Sequence, residues 1–195
     1  MKTVTLKING LEVSAREGAS VLDAARAAGF DIPTLCSHEE LEPAGVCRFC
    51  MVEITRGTKS RLVASCVYPV ENGLEVQTES DRVKKIRRML IELLLPVAPS
   101  GPIGALAKRY GVEKSRFELD NPGQAPANCS LCGLCVRYCE QIGGGDAVGF
   151  LGRGVSRKVA LMPDKGDECV FCRKCYSICN SGRFVEMAEV FPDQP

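Results

Sequence analysis

Twelve cysteines are the residues of this chain best suited to chemistry, and their spacing is regular. They form three groups of four, and the last two groups share the spacing C-x2-C-x2-C-x3-C. In a reducing compartment, so many thiols indicate metal binding rather than structural disulfides. The groups are Cys36, Cys47, Cys50 and Cys66; Cys129, Cys132, Cys135 and Cys139; and Cys169, Cys172, Cys175 and Cys179.

The repeated spacing is the one with which two-cluster bacterial ferredoxins bind 4Fe–4S clusters. The first three thiolates of each run ligate one cluster, and the fourth ligates the other. Tetrahedral zinc also takes four cysteines, but structural zinc usually uses two separated C-x2-C pairs. The spacing therefore predicts one cluster on Cys129, Cys132, Cys135 and Cys179, and a second on Cys169, Cys172, Cys175 and Cys139.

Both runs depart from the bacterial pattern at one position. Glu140 and Asn180 follow the fourth cysteines, where the pattern normally has proline. All eight ligands are present, so we expect cluster binding with altered turn geometry and hydrogen bonding near sulfur. A short helix predicted over residues 136–142 would carry Cys139 away from the first cluster.

The elements predicted before the second group are a hairpin, a helix, three short strands and two further helices. Asn9-Gly10 is a strong hairpin turn, and Ser20 and Ser80 are suited to cap helices. Strands are predicted over residues 4–8, 11–13, 51–54, 62–66 and 74–78, and helices over 21–28, 81–95 and 103–110. A hairpin over residues 148–151 and 158–162 is predicted between the two runs.

The helix over residues 81–95 has a basic stripe, which we interpret as a solvated face, with a docking patch as the alternative. The stripe comprises Arg82, Lys84, Lys85, Arg87 and Arg88. The glycines between residues 143 and 154 are interpreted as turns rather than as a dinucleotide loop, because no βαβ unit precedes them.

Four motifs resemble one family of electron-transfer subunits. They are PTLC at residues 33–36, GVCRFCMVEI at 45–54, SCVYPV at 65–70 and CSLCGLCVRYCE at 129–140. They are similar to the diaphorase-type iron–sulfur subunits of NAD(P)-linked hydrogenases and formate dehydrogenases, and to the N-terminal part of the large iron–sulfur subunit of respiratory complex I. The resemblance implies a β-grasp fold with a 2Fe–2S cluster on Cys36, Cys47, Cys50 and Cys66.

With this resemblance we expect an α+β chain in three parts. They are a β-grasp 2Fe–2S ferredoxin domain over residues 1–79, a helical connector over 80–124 and a bacterial-ferredoxin-like 2×4Fe–4S domain over 125–195. Larger family members bind a further 4Fe–4S cluster in the connector through one histidine and three cysteines. Residues 96–128 contain neither residue type, so we expect no cluster there.

The resemblance implies a subunit that carries single electrons and has no catalytic site, flavin or NAD of its own. Its implied partners are a flavin/NAD(P)H-binding subunit, a thioredoxin-like 2Fe–2S subunit and a catalytic hydrogenase or formate dehydrogenase subunit, with an electron-bifurcating complex of an anaerobe as one version. Three alternatives stay open: a succinate dehydrogenase/fumarate reductase-type iron–sulfur subunit, a stand-alone multi-cluster ferredoxin and a zinc-stabilised scaffold.

Composition limits the classes of partner and the cellular location that we expect. A net charge of +1 provides no global field for nucleic acid and lacks the strong acidity expected of a stand-alone ferredoxin. No apolar run reaches the ~18–20 residues of a membrane span, and the N-terminal residues lack a signal-peptide pattern, so we expect a cytoplasmic protein. His38 is the single histidine, too few for a Rieske centre, and is interpreted as a surface-loop residue.

Overall fold

A computed structural model describes residues 2–117, 128–162, 165, 172 and 174–181. The strands are β1 (Thr3–Ile8), β2 (Leu11–Arg16), β3 (Met51–Arg56), β4 (Lys59–Ala64), β5 (Glu75–Gln77), β6 (Val148–Leu151) and β7 (Lys158–Leu161). The α-helices are α1 (Val21–Ala27), α2 (Asp81–Leu94), α3 (Gly101–Tyr110) and α4 (Leu134–Tyr138). A π-helix (Cys139–Gly143) follows α4, and a 3-10 helix (Gly154–Ser156) separates β6 from β7.

Strands β1 to β5 form one mixed sheet in the order β2-β1-β5-β3-β4. The central pair β1–β5 is parallel, and every other pair in this sheet is antiparallel. Inward-facing residues of the sheet, such as Leu6, Ile8 and Ile54, form a core with Val21 and Leu22 of α1. Helix α1 thus covers one face of the sheet, and the α+β prediction is confirmed for this part of the chain.

The hairpin turn at Asn9-Gly10 is confirmed. Because Ile8 pairs with Leu11, only Asn9 and Gly10 remain in the turn, with φ angles of 50° and 85°. Positive φ at both positions is the geometry that favours Asn-Gly in two-residue hairpins. Asn9 also donates from Nδ2 to Thr78 Oγ1 over 2.8 Å, which ties the turn to the end of β5.

Strand β4 differs from its predicted range of residues 62–66. It begins at Lys59 and ends at Ala64, so Cys66 lies in the turn after the strand. Lys59, Ser60 and Arg61 are exposed and gave no alternating pattern. They lie on an edge strand, where charged and polar side chains are typical because they discourage pairing with other chains.

Helices α2 and α3 agree with prediction within two residues. Ser80 caps α2, accepting a hydrogen bond from the Val83 N–H, and α2 ends before Pro96. Helix α3 begins at Gly101, earlier than predicted, because Pro102 fits the first turn of a helix. Both helices pack against Leu35 and Phe49, which flank cysteines of the first group; the apolar residues in this cluster include Ile91, Ala98, Ile103, Leu106, Ala107 and Tyr110.

The solvated-face interpretation of the basic stripe is wrong at Arg87, which is fully buried. Its guanidinium donates to the carbonyl oxygens of Phe49 and Met51 and pairs with Glu79 and the Tyr110 hydroxyl. A helical pattern places Arg87 beside polar neighbours, but it does not reveal carbonyl acceptors almost forty residues away. These contacts give the buried charge the partners that it needs.

Glu53 on β3 joins the sheet to the start of α2. Its carboxylate accepts hydrogen bonds from Ser60 on β4, from Ser80 Oγ over 2.6 Å and from Arg82 Nη1 over 2.7 Å. These three donors stabilise the ionised carboxylate and lower the pKa of Glu53 to about 2 from its ordinary 4.5. The interaction therefore contributes to stability only while Glu53 is ionised.

We expect Glu53→Gln to lower the free energy of unfolding at pH 7 by about 1–2 kcal/mol, allowing for solvent screening at this surface position. Because the folded-state pKa is lowered, the deficit relative to wild type should be complete above about pH 4.5 and disappear as the pH falls toward 2. Urea unfolding of metal-free protein at pH 7 and pH 3, followed by circular dichroism, measures this deficit in the free energy of unfolding. Glu75→Gln on β5 is the control, and an equal deficit at both pH values would contradict the linkage.

The region of the two cysteine runs contains α4, the π-helix and the β6–β7 hairpin. The helix predicted over residues 136–142 is one helical segment from Leu134 to Gly143, in which the π-helix begins at Cys139. The predicted hairpin is confirmed, with Val148 opposite Leu161 in an antiparallel register. The dinucleotide-loop alternative gains no support, since Gly152 (φ 75°) turns the chain within this hairpin.

Candidate iron–sulfur centres

The first group of cysteines lies at one end of the sheet, in the loops around β3 and β4. Cys36 and Cys47 belong to the segment between α1 and β3, Cys50 immediately precedes β3, and Cys66 follows β4. The C-x2-C loop reverses at Arg48, whose φ of 61° is uncommon for a residue other than glycine. This turn brings Cys50 toward Cys66, and both are buried.

The four thiols form two adjacent pairs. The Sγ atoms of Cys50 and Cys66 are 3.4 Å apart, and the Cys47 N–H donates to Cys36 Sγ over 3.5 Å. Two sulfurs on one tetrahedral metal would be ~3.8 Å apart for metal–sulfur bonds of ~2.3 Å. Two thiols for each of two irons is the donor set of a 2Fe–2S cluster, so the residues present fit this group.

Hydrogen bonding within each pair favours one thiolate. The Cys47 thiol is the main cause that lowers the pKa of Cys36 to about 5, and the nearby Arg137 guanidinium also lowers it. The Cys66 thiol similarly lowers the pKa of Cys50 to about 6. The partners Cys47 and Cys66 have raised pKa values because they hold the shared proton. Metal binding would displace this proton, since metals bind the thiolate.

Five thiols of the cysteine runs lie near one another beside α3 and α4. Burial is the main cause that raises the pKa of Cys132, with charge repulsion from Cys129 and Cys179 adding to it. Burial also raises the pKa of Cys135 to about 12, with contributions from Cys129, Cys132, Cys175 and Cys179. The structure thus brings Cys179 close to the first three cysteines of the second group.

Cys175 also lines a cavity of about 230 Å³, together with Cys139 and Cys172. Cys139, Cys172 and Cys175 lie on its wall with Tyr138, Lys174 and the glycines of residues 143–145. The Ala147 N–H donates to Cys139 Sγ over 3.2 Å. Cys169, the fourth predicted ligand here, lies outside the described residues. Three thiols around one cavity are suited to bind a 4Fe–4S cluster.

His38 lies in a half-buried loop. Its Nδ1 accepts a hydrogen bond from the Glu40 N–H over 3.3 Å, and its ring lies edge-on to Tyr138 at 5.9 Å. These contacts give the imidazole a packing role between the loop and α4. The surface-loop interpretation missed this contact because Tyr138 is one hundred residues further along the chain.

Three polar residues at the candidate centres were not found by sequence reasoning. Arg87 donates to the carbonyls on both sides of Cys50, Arg137 donates to the Cys36 carbonyl, and Asn180 donates to the Leu35 carbonyl. Arg87 was named only in the basic stripe, Arg137 only within a family motif, and Asn180 only at a position where proline is usual. Among the helices in the described part of the chain, none has the length and apolar character that a membrane span requires.

Comparisons with known proteins agree with this picture. Residues 1–81 match the family model of a 2Fe–2S iron–sulfur cluster binding domain. The mitochondrial NADH-ubiquinone oxidoreductase 78 kDa subunit of Candida albicans is 30% identical over 98% of this chain and 30% of its own length. The NADPH-Fe(3+) oxidoreductase subunit alpha of Geobacter sulfurreducens is 30% identical over 98% of this chain and 25% of its own length. The chain therefore spans less than a third of these curated relatives.

A solved structure matches over more of its length. A chain in the crystal structure of an NAD+-reducing NiFe hydrogenase in the H2-reduced state superposes with a TM-score of 0.72 and 32% sequence identity. The match covers 84% of this chain and 76% of that chain. Together with the 2Fe–2S domain at residues 1–81, this likeness shows that the chain belongs to the family of diaphorase-type iron–sulfur subunits, which is similar to the N-terminal part of the large iron–sulfur subunit of complex I.

Proposed function

We propose that this chain carries single electrons between a flavin/NAD(P)H-binding subunit and a catalytic subunit, with a thioredoxin-like 2Fe–2S subunit as a further partner. A hydrogenase is the favoured catalytic partner, because the matched structure is that of an NAD+-reducing NiFe hydrogenase. A formate dehydrogenase is the second candidate. The relatives that are named as NADH and NADPH oxidoreductases support the link to nicotinamide chemistry, and we propose a cytoplasmic location.

The grouping of the thiols carries this proposal. Cys139, Cys172 and Cys175 line one cavity, and Cys179 lies near Cys132 and Cys135, which Cys175 also approaches. An exchange of fourth cysteines is the ligand pattern of two-cluster bacterial ferredoxins. We therefore propose the 4Fe–4S sets Cys129, Cys132, Cys135, Cys179 and Cys169, Cys172, Cys175, Cys139, and the 2Fe–2S set Cys36, Cys47, Cys50, Cys66.

The sheet supports a β-grasp assignment for the 2Fe–2S domain. A mixed sheet with a parallel central pair and one helix across its face has the required order of elements. We propose domain limits at residues 1–79, 80–124 and 125–195. Bound clusters would supply one-electron redox chemistry, while the chain supplies thiolates and N–H donors to sulfur, including those of Leu35, Cys47 and Ala147.

Iron content tests the number of clusters. Anaerobically reconstituted protein is expected to contain about ten irons per chain, two in the 2Fe–2S cluster and four in each 4Fe–4S cluster. Reduction should give EPR signals of one 2Fe–2S and two 4Fe–4S centres. Metal analysis, sulfide analysis and the visible spectrum measure this directly. About six irons, or stoichiometric zinc in a colourless protein, would contradict the proposal.

Partner identity is tested by copurification from native cells under anaerobic conditions. A tagged chain is expected to bring down a flavoprotein and a nickel-containing subunit in stoichiometric amounts, and NAD(P)H should then reduce its clusters. Recovery of the chain alone, with clusters that NAD(P)H does not reduce in the cell extract, would favour a stand-alone ferredoxin.

A further inference from the structure

Two side chains from the cysteine-run region donate to consecutive carbonyls of the 2Fe–2S loop, which is the segment between α1 and β3 that contains Cys36 and Cys47. Arg137 donates from Nη2 to the carbonyl oxygen of Cys36, and from Nη1 to that of Glu42 over 2.7 Å. Asn180 donates from Nδ2 to the Leu35 carbonyl over 2.9 Å. Both donors adjoin predicted 4Fe–4S ligands, since Arg137 lies between Cys135 and Cys139, and Asn180 directly follows Cys179.

Other contacts hold these donors in place. The Glu42 N–H donates to Gln141 Oε1 over 3.4 Å, so two residues one helical turn apart, Arg137 and Gln141, contact the same loop. On the other side, a Cβ at Gly101 would lie 3.3 Å from the Asn180 carbonyl oxygen, so glycine at the start of α3 permits this close approach. Two separate parts of the cysteine-run region therefore contact the 2Fe–2S loop.

The buried position of the Arg137 guanidinium is unfavourable at one of its nitrogen atoms. Within the described residues, its Nε is a buried polar atom without a hydrogen-bond partner. Burying part of a guanidinium without a partner is unfavourable, and such groups in native structures call for an explanation. The same guanidinium donates to the Cys36 carbonyl oxygen, so its positive charge lies beside a predicted ligand of the 2Fe–2S cluster.

We propose that Arg137 and Asn180 are positioning residues for electron transfer, which hold the 2Fe–2S loop against the cluster site of Cys129, Cys132, Cys135 and Cys179. This inference rests on the proposed function. In the step concerned, one electron leaves the reduced 2Fe–2S cluster and enters the oxidised 4Fe–4S cluster; no bond forms or breaks and no proton moves. Each of these hydrogen bonds links the 2Fe–2S loop to a residue beside a predicted 4Fe–4S ligand.

The role of Asn180 accounts for the departure from the bacterial cysteine pattern in the second run. Proline at position 180 would have no side-chain donor for the Leu35 carbonyl, whereas asparagine has one. Arg137 has a second effect. Reduction adds a negative charge to the 2Fe–2S cluster, and a nearby cation stabilises the reduced form, so Arg137 should raise the reduction potential of this cluster.

The first test uses cluster-loaded Arg137→Gln, with Arg153→Gln as the matched control. Arg153 is an exposed arginine of the β6–β7 hairpin, so its loss removes the same charge away from the 2Fe–2S loop. EPR-monitored redox titration should show that Arg137→Gln raises the oxidised-to-reduced ratio of the 2Fe–2S cluster about tenfold at a fixed potential, a shift of ~59 mV downward. An equal shift in Arg153→Gln, or none in either variant, would overturn the potential-setting role.

The second test measures transfer between clusters. Asn180→Ala should slow electron equilibration between the 2Fe–2S and 4Fe–4S centres at least tenfold after rapid reduction, followed by freeze-quench EPR. Arg137→Lys keeps the charge and should retain the wild-type potential while slowing equilibration. If Arg137→Gln fails to load clusters, Asn180→Ala and Arg137→Lys still test the proposal. Wild-type rates of equilibration in both variants would overturn the positioning role. A wild-type chain without 4Fe–4S clusters would instead overturn the proposed function.

Discussion

Arg87→Ala is expected to lower the free energy of unfolding by about 3–5 kcal/mol, the usual cost of removing one partner from a buried charge network. The Nη1 atom of Arg87 lies 2.6 Å from Glu79 and 2.7 Å from the Tyr110 hydroxyl. The substitution would also leave the Phe49 and Met51 carbonyls without these donors. Because these carbonyls flank Cys50, we expect weaker retention of the 2Fe–2S cluster as well.

Urea unfolding under anaerobic, reducing conditions measures this effect, with Lys85→Ala as the control. Lys85 is an exposed residue of the same helix, and its substitution should change the free energy by less than about 0.5 kcal/mol. A loss below about 1 kcal/mol in Arg87→Ala would show that the buried network is not a principal source of stability. Spin quantification of the 2Fe–2S EPR signal reports cluster retention separately.

Cys36→Ala is expected to abolish the 2Fe–2S signal and to remove two of about ten irons, while both 4Fe–4S signals persist. The substitution removes one thiolate from the Cys36–Cys47 pair and leaves one iron without its donor set. The Cys36 carbonyl, which accepts the Arg137 hydrogen bond, stays in place because it belongs to the backbone. The arrangement of the 4Fe–4S region should therefore survive.

Glu39→Ala is the matched control, since Glu39 is an exposed residue of the same loop. It should keep about ten irons and all three EPR signals. Loss of the 4Fe–4S signals in Cys36→Ala would contradict independent cluster sites. Persistence of an unchanged 2Fe–2S signal would contradict the assignment of Cys36 as a ligand.

Local signals predicted most of the helices and strands in the described part of the chain. The Asn9-Gly10 turn, the Ser80 cap and the stop at Pro96 depend on residues within a few positions of one another, and each was confirmed. Strand β4 was placed too late because Lys59 and Ser60 sit on an edge strand, where burial imposes no alternation. The motifs around the cysteines likewise indicated the family by resemblance, because each motif is a local stretch of the chain.

Long-range polar contacts could not be predicted in this way. The sequence pattern identifies Arg87 only as one more cation on a helix face. The carbonyls of Phe49 and Met51 come beside it only in the folded chain. Arg137 and Asn180 reach acceptors that lie 101 and 145 residues away in the sequence. No periodicity or spacing rule connects such positions, because their meeting depends on how the sheet, the connector and the cysteine runs pack together.

The parallel pairing of β1 with β5 has a consequence for the order of folding. Lys7 pairs with Glu75, so this contact closes a chain segment that contains all four cysteines of the first group. Closing so long a loop costs conformational entropy before any pairing compensates for it, and topologies rich in such contacts fold slowly. A cluster that joins Cys36 to Cys66 shortens this loop from within. Iron delivery should therefore accelerate formation of the central strand pair, and chelation should slow it.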